Sequence, residues 1–127
     1  MFIIEQLDHV ALTVTDLERS IEWYLSVLGL ERRHQEVWPL PVMLCAGTTC
    51  LALFPADTNT LLAAPDYHYS IALRHLAFRV KRGDFEQAQA SFKERNIPYE
   101  FEDHGISHSI YIYDPDSYRV EITTYEL

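Results

Sequence analysis

The sequence predicts an α+β fold made of two βαβββ modules, and a repeat carries that prediction. His9 opens the run Leu7-Asp8-His9-Val10-Ala11-Leu12-Thr13-Val14, and His75, 66 residues on, opens Leu73-Arg74-His75-Leu76-Ala77-Phe78-Arg79-Val80. Each run reads as a strand with a histidine near its start, followed by one helical segment and then more strand. The last strands correspond too. With the histidines aligned, Cys50-Leu51-Ala52-Leu53-Phe54 falls on Arg119-Val120-Glu121-Ile122-Thr123, so Glu121 takes the place that Ala52 holds in the first copy. Either half alone would leave a sheet face and both edges bare, so the two are expected to pair.

The first copy begins with a strand over 7–14. Thr15 with Glu18 makes a capping box, and Leu17, Ile21, Tyr24, Leu25 and Leu28 follow at helical spacing up to Gly29, a C-terminal stop. Strands follow over about 31–38, 41–46 after Pro39-Leu40-Pro41, and 49–55 after a turn at Gly47. Residues 56–70 have no regular pattern and connect the halves.

The second copy has its strand over 71–81 and its helix over about 84–95. Asp84 is expected to cap that helix, with Gln87 three residues on, and Phe85, Ala88 and Phe92 form its apolar stripe. Ile97-Pro98 ends it. Strands over about 98–103, 108–114 and 118–126 complete the copy, with Asp114-Pro115-Asp116-Ser117 as a tight turn. The expected organisation is one domain over 1–127, made of a first module over about 1–60 and a second over about 70–127.

Composition narrows the function. The chain is 48% hydrophobic and 13% aromatic, enough for a packed interior, and its net charge is −9, from 19 acidic and 10 basic residues. A nucleic-acid binder needs a basic face to displace counterions, and no Lys/Arg cluster exists, so nucleic acid and anionic membrane surfaces are excluded as partners. Met1-Phe2-Ile3-Ile4-Glu5 does not read as a signal peptide, no run approaches the roughly 20 apolar residues of a span, and the expected location is the cytoplasm. Cys45 and Cys50 flank the Gly47 turn and could lie opposite each other; in a chain read as leaderless they are expected to be two buried thiols.

Chemistry concentrates on three residues. Glu121 sits among Val120, Ile122 and Thr123, where a carboxylate is costly without a cation or donors. His9, His75 and Glu121 all belong to strands, and two imidazoles with one carboxylate form a divalent-metal set. In the facial arrangement such a set leaves coordination positions open, as in non-haem Fe(II) oxygenases. His68, His104 and His108 are candidates for acid–base work, set against an ordinary role as loop histidines. Trp38 and Phe54 could line a pocket for a planar substrate or simply pack. Glu31, Glu36, Glu100, Glu102 and Asp103 read as solvated faces.

At this point the chain resembles the vicinal-oxygen-chelate superfamily, which includes glyoxalase I, bleomycin-resistance proteins and extradiol ring-cleaving dioxygenases. The resemblance is carried by Leu7 to Tyr24, by Val27-Leu28-Gly29-Leu30, by Arg74-His75-Leu76-Ala77-Phe78, and by Ser109 to Asp116 with Val120-Glu121. It implies a half-open barrel of the two modules around a metal site, with His9, His75 and Glu121 as metal ligands. The superfamily reuses one frame for isomerisation, ring opening, epoxide opening and sequestration. A fourth ligand late in the first half, usual in glyoxalases, is replaced by Ala52, and a three-ligand set is what extradiol dioxygenases use. Tyr111, ten residues before Glu121, falls where those enzymes carry a tyrosine near the bound substrate. Ser117 stands where Gly usually follows Asp-Pro-Asp.

The resemblance thus implies a dioxygenase-like enzyme holding Fe(II), with Mn(II), Zn(II) or Ni(II) as alternatives, and acting on a small-molecule substrate with vicinal oxygens. Tyr111 would donate to a substrate oxygen, and His108 or His104 would move protons. A glyoxalase-like lyase or isomerase and a non-catalytic ligand-binding protein are the alternatives. A homodimer is expected.

Overall fold

In the computed structural model of the protein, residues 1–57 and 71–127 are described. Most of the expected connection over 56–70, and His68 within it, lie outside the described residues. The chain divides into two units, Met1–Leu61 and Leu62–Leu127.

Unit 1 runs β1 (His9–Val14), α1 (Leu17–Val27), β2 (Glu31–Arg33), β3 (Val42–Ala46) and β4 (Thr49–Pro55). Its sheet has the order β1-β4-β3-β2, with β1 parallel to β4 and the other pairs antiparallel. Alternation explains its core. Leu12, Val14, Val42, Leu44, Leu51 and Leu53 share one face and are buried, as are Ile21 and Tyr24 of α1. The helix cap lies one residue later than the sequence suggests: the Asp16 carboxylate accepts from the Arg19 amide at 3.1 Å, while the Thr15 hydroxyl accepts from the Arg19 guanidinium. Gly29, at φ +66°, turns the chain out of α1 as expected. The strand expected over 31–38 stops at Arg33, because His34 takes a left-handed φ of +63° and its carbonyl accepts the amides of Val37 and Trp38, closing a turn.

Unit 2 repeats the plan with β5 (Leu76–Arg79), α2 (Arg82–Glu94), β6 (Glu100–Asp103), β7 (His108–Tyr113) and β8 (Arg119–Thr124), in the order β5-β8-β7-β6. Val120, Ile122, Ile110 and Ile112 are buried on the face that also carries Phe101, whose ring lies 6.4 Å from Phe85 of α2. Phe85 and Phe92 are wholly buried, and truncating such a phenylalanine to alanine costs about 3–5 kcal/mol. Asp84 does not cap α2. The helix starts at Arg82, whose amide donates to the Glu126 carboxylate at 2.8 Å, a cap supplied from 44 residues away. At the other end Asn96, at φ +57°, lets the Ile97 amide reach the Phe92 carbonyl at 2.8 Å.

Among the described residues no helix is long and apolar enough to cross a membrane.

Candidate metal centre

The polar residues of unit 2 collect on the sheet face away from α2. Register sets them: Glu121 of β8 lies beside Ala77 of β5 on one side and Tyr111 of β7 on the other, and Ser109 lies beside Thr123. Residues in register project to one face. His75, two before Ala77, extends the same face just ahead of β5. Its Nε2 stands 2.8 Å from Glu121 Oε2, in a pair whose carboxylate side chain is nine-tenths buried. The Ser109 hydroxyl donates to the other carboxylate oxygen, Oε1, at 2.6 Å. Both oxygens of a buried carboxylate thus have partners, as burial requires. Among the described residues, buried His75 Nδ1 has no hydrogen-bond partner.

Tyr111 packs its ring edge-on to His75, with centroids 5.7 Å apart, and its hydroxyl lies 3.1 Å from His104 Nε2. The Arg119 guanidinium covers its ring at 4.0 Å. Burial pushes the phenol pKa up, the Glu121 and Glu102 charges push it further, and Arg119 and the Ser109 hydrogen bond oppose them. Net, Tyr111 stays a neutral hydrogen-bond donor at physiological pH. His104 follows β6, and its Nε2 also lies 3.4 Å from Glu102 Oε2. A proton on that nitrogen faces both the phenol oxygen and a carboxylate; without it, Nε2 accepts from the phenol.

His108 does not join this group. It is three residues from Tyr111 on the same strand, so it points to the opposite face. There its Nδ1 accepts from Arg82 Nη1 of α2 at 2.9 Å, its ring packs on Phe101, and Asp103 lies 3.6 Å from Nε2. The expectation that His108 shares proton work with His104 is corrected by that alternation.

In unit 1, His9 starts β1 and is about half exposed. Its Nδ1 lies 2.8 Å from Asp8 Oδ2, so Nδ1–H donates there. Ala52, 1% exposed, lies beside Ala11 as Glu121 lies beside Ala77, which confirms the place-for-place match of the two positions. Cys45 and Cys50 are not thiols: they are cross-strand partners joined by a disulfide. Direct opposition across β3 and β4 is what allows the bond. Trp38 and Phe54 are both partly exposed, at 45% and 40%.

Among the described residues, and with the Cys45–Cys50 disulfide intact, no three His, Cys, Asp or Glu side chains gather within either unit so as to hold a metal ion; unit 2 supplies a pair. Ser109 was missed by sequence reasoning, yet the signal existed, since it shares the two-residue alternation of Tyr111 and faces Thr123 two places from Glu121. A cavity of about 420 Å³ lined by Arg79, Val80, Lys81, Tyr125 and Glu126 shares no residue with the polar group.

The family model of the Glyoxalase/Bleomycin resistance protein/Dioxygenase superfamily matches residues 6–122. The chain is 24% identical over 119 residues to the glutathione transferase FosA of Serratia marcescens, covering 94% of this chain and 80% of that protein. It is 28% identical over 131 residues to the metallothiol transferase FosB of Staphylococcus epidermidis, covering 95% and 82%. A crystal structure of a glyoxalase/dioxygenase from Nostoc punctiforme superposes with a TM-score of 0.77 at 24% identity, over 94% of this chain and 90% of that one.

Proposed function

The chain belongs to the glyoxalase/bleomycin resistance protein/dioxygenase superfamily, and from that premise we propose that it is a divalent-metal-dependent enzyme of the group-transfer or lyase kind, acting on a small substrate with neighbouring oxygens. The observation that carries the proposal is the buried His75–Glu121 pair with Ser109 holding its second oxygen. A nitrogen and an oxygen donor fixed side by side, with an outer residue orienting the carboxylate, suit a borderline divalent ion. The family resemblance, not a contact, adds His9 as a third proposed ligand; its Nδ1 is held by Asp8. The unpartnered His75 Nδ1 is a departure from the usual supported imidazole.

When bound, such an ion supplies Lewis acidity to the substrate oxygens it chelates. The chain's own residues do the rest. Ser109 keeps Glu121 oriented. Tyr111, held neutral by burial and by Glu121, donates a hydrogen bond toward a substrate oxygen that gains negative charge. His104, between Tyr111 and Glu102, takes up or returns the proton.

Two relatives with stated activities are thiol transferases, which moves the reading from oxygen chemistry toward addition of a thiol at a carbon beside chelated oxygens. Ring opening by dioxygen on Fe(II) is the second reading, and Tyr111, buried beside the pair, is the observation that favours it. Mn(II), Zn(II) and Ni(II) remain the other candidate ions. A homodimer is the expected assembly, consistent with the exposed apolar run Met1, Phe2, Ile3 and Ile4.

Protein purified without chelator should carry near-stoichiometric metal. Loaded with Mn(II) and given glutathione and a small acid-bearing oxirane, it should form a thioether adduct detectable by mass spectrometry. Yellow product from catechol and oxygen on the Fe(II)-loaded protein, with no adduct, would establish the second reading. A metal-free protein that binds such ligands without turnover would sink both.

A further inference from the structure

Unit 1 carries a row of donor side chains that the proposed function touches only at its end. Register sets His9 beside Cys50, Cys50 beside Cys45, and Cys45 beside Glu31, one residue from each of its four strands. Neighbouring strands lie roughly 4.8 Å apart, and residues in register share a face. As it stands the row offers no thiolate, because the two sulfurs are bonded to each other. The hairpin hardly needs that bond. It joins residues only five apart in sequence, on strands already paired at five successive positions, and so short a loop gains least from closure.

We propose that reduction of the Cys45–Cys50 bridge opens a thiophilic divalent-metal site in unit 1, with Cys45, Cys50 and His9 as its protein donors. A phosphine reductant supplies the two electrons: the S–S bond breaks, water gives its oxygen to phosphorus, and its two protons go to the two sulfurs. Metal uptake then forms two S–metal bonds and releases those two protons. The Cα atoms, 4.0 Å apart, keep the freed sulfurs neighbours. Two thiolates on a tetrahedral ion at about 2.3 Å stand roughly 3.8 Å from each other, which the pairing accommodates. His9 brings Nε2 from the adjacent strand, because its Nδ1 is committed to Asp8. Thiolates with an imidazole select zinc-like ions over the harder ones. Cys50 is part exposed and Cys45 buried, so the ion enters past Cys50. Loading this site also withdraws His9 from the proposed catalytic set; that consequence rests on the functional reading above, and the site itself does not.

Cobalt(II) is the probe. Phosphine-reduced, anaerobic protein should take up Co(II) with an intense near-ultraviolet sulfur-to-cobalt band at one equivalent per chain, and Cd(II) should displace it. Oxidised protein should show no such band, whatever cobalt it holds elsewhere. Cys50→Ser should abolish the band under reduction, and His75→Ala should leave it, since His75 belongs to the other set. Cd(II) should also slow alkylation of both thiols at least tenfold. Reduced protein that keeps its circular dichroism but shows no sulfur band overturns the proposal, and so does a band that survives Cys50→Ser. Reduction that unfolds the chain overturns it as well, because the row exists only on the sheet. Cobalt binding outside the band that does not change in His75→Ala would count against the functional reading alone.

Discussion

The two units share a strand order and a helix position, and they differ on one sheet face. Their α-facing sides are alike: Leu12, Leu44, Leu51 and Leu53 in one, Ile110, Ile112, Val120 and Ile122 in the other. Their opposite sides diverge place by place. Ala11 lies beside Ala52, whereas Ala77 lies beside Glu121; Cys50 precedes Ala52 by two as Arg119 precedes Glu121. Met43 and a disulfide fill one face, and Tyr111, Ser109 and Glu121 the other. The helix-facing residues build the unit, so the far face can carry different chemistry in the two units while the architecture stays the same. Resemblance in fold therefore reports on the first face and function on the second.

The strongest way to break this contrast is to remove its polar partner. His75→Ala should lower metal affinity by more than the roughly 10–100-fold that loss of an outer partner costs, with circular dichroism unchanged. Equilibrium dialysis with metal analysis measures it; unfolding instead would make His75 a structural residue. The reverse experiment grafts the polar character onto unit 1. Ala52→Glu places a carboxylate at a 1% exposed position with Met43 and Cys45 around it. It should cost roughly 3–5 kcal/mol in urea unfolding, the penalty of an unpaired buried charge. A negligible cost would mean that the two faces do not differ in how they solvate charge.

A finer test concerns the support of Glu121. Ser109→Ala removes the hydroxyl that holds Oε1 at 2.6 Å and leaves His75 in place. Metal affinity should fall by about 10–100-fold while the protein stays folded. The corresponding position in unit 1 has no carboxylate to orient, so a substitution there should not change metal binding.

What the sequence revealed and what it concealed divide along the same physical line. Local signals carried the repeat, the Gly29 stop, the α2 stripe of Phe85 and Phe92, and the equivalence of Ala52 with Glu121. Non-local ones did not. The α2 start depends on Glu126, 44 residues from Arg82. The disulfide depends on Cys45 and Cys50 meeting in strand register, which a turn at Gly47 permits without requiring. The end of β2 depends on a left-handed His34, a conformation no glycine announces. The opposite facing of His108 and Tyr111 was legible in their spacing of three along one strand. Within the site, Glu121 was visible as a misfit in an apolar strand. Its partner Ser109 carried only the two-residue alternation that any strand residue shares.

The smallest expected effect compares two hairpin turns. Unit 1 turns between β3 and β4 with Gly47 at φ +58°, and unit 2 turns between β7 and β8 with Ser117 at φ +68°. The turns differ in length, two residues against five, but both positions take a left-handed φ that only glycine meets without strain; an L-residue there costs about 1–2 kcal/mol. Unit 2 offsets the cost through Asp114, whose carboxylate accepts the amides of Asp116 at 2.9 Å and Tyr118 at 2.8 Å. Those bonds run through the backbone and survive a change at 117. Ser117→Gly should therefore stabilise the protein by roughly 1 kcal/mol, a rise in Tm of about 3–6 °C. Gly47→Ser should lower stability by a similar amount, because a Cβ at Gly47 meets no atom within 4 Å and only backbone strain remains. Thermal unfolding of both variants decides it. Equal and opposite shifts would show that the left-handed position carries the same strain in both turns, and no gain from Ser117→Gly would mean that the Ser117 side chain holds its turn.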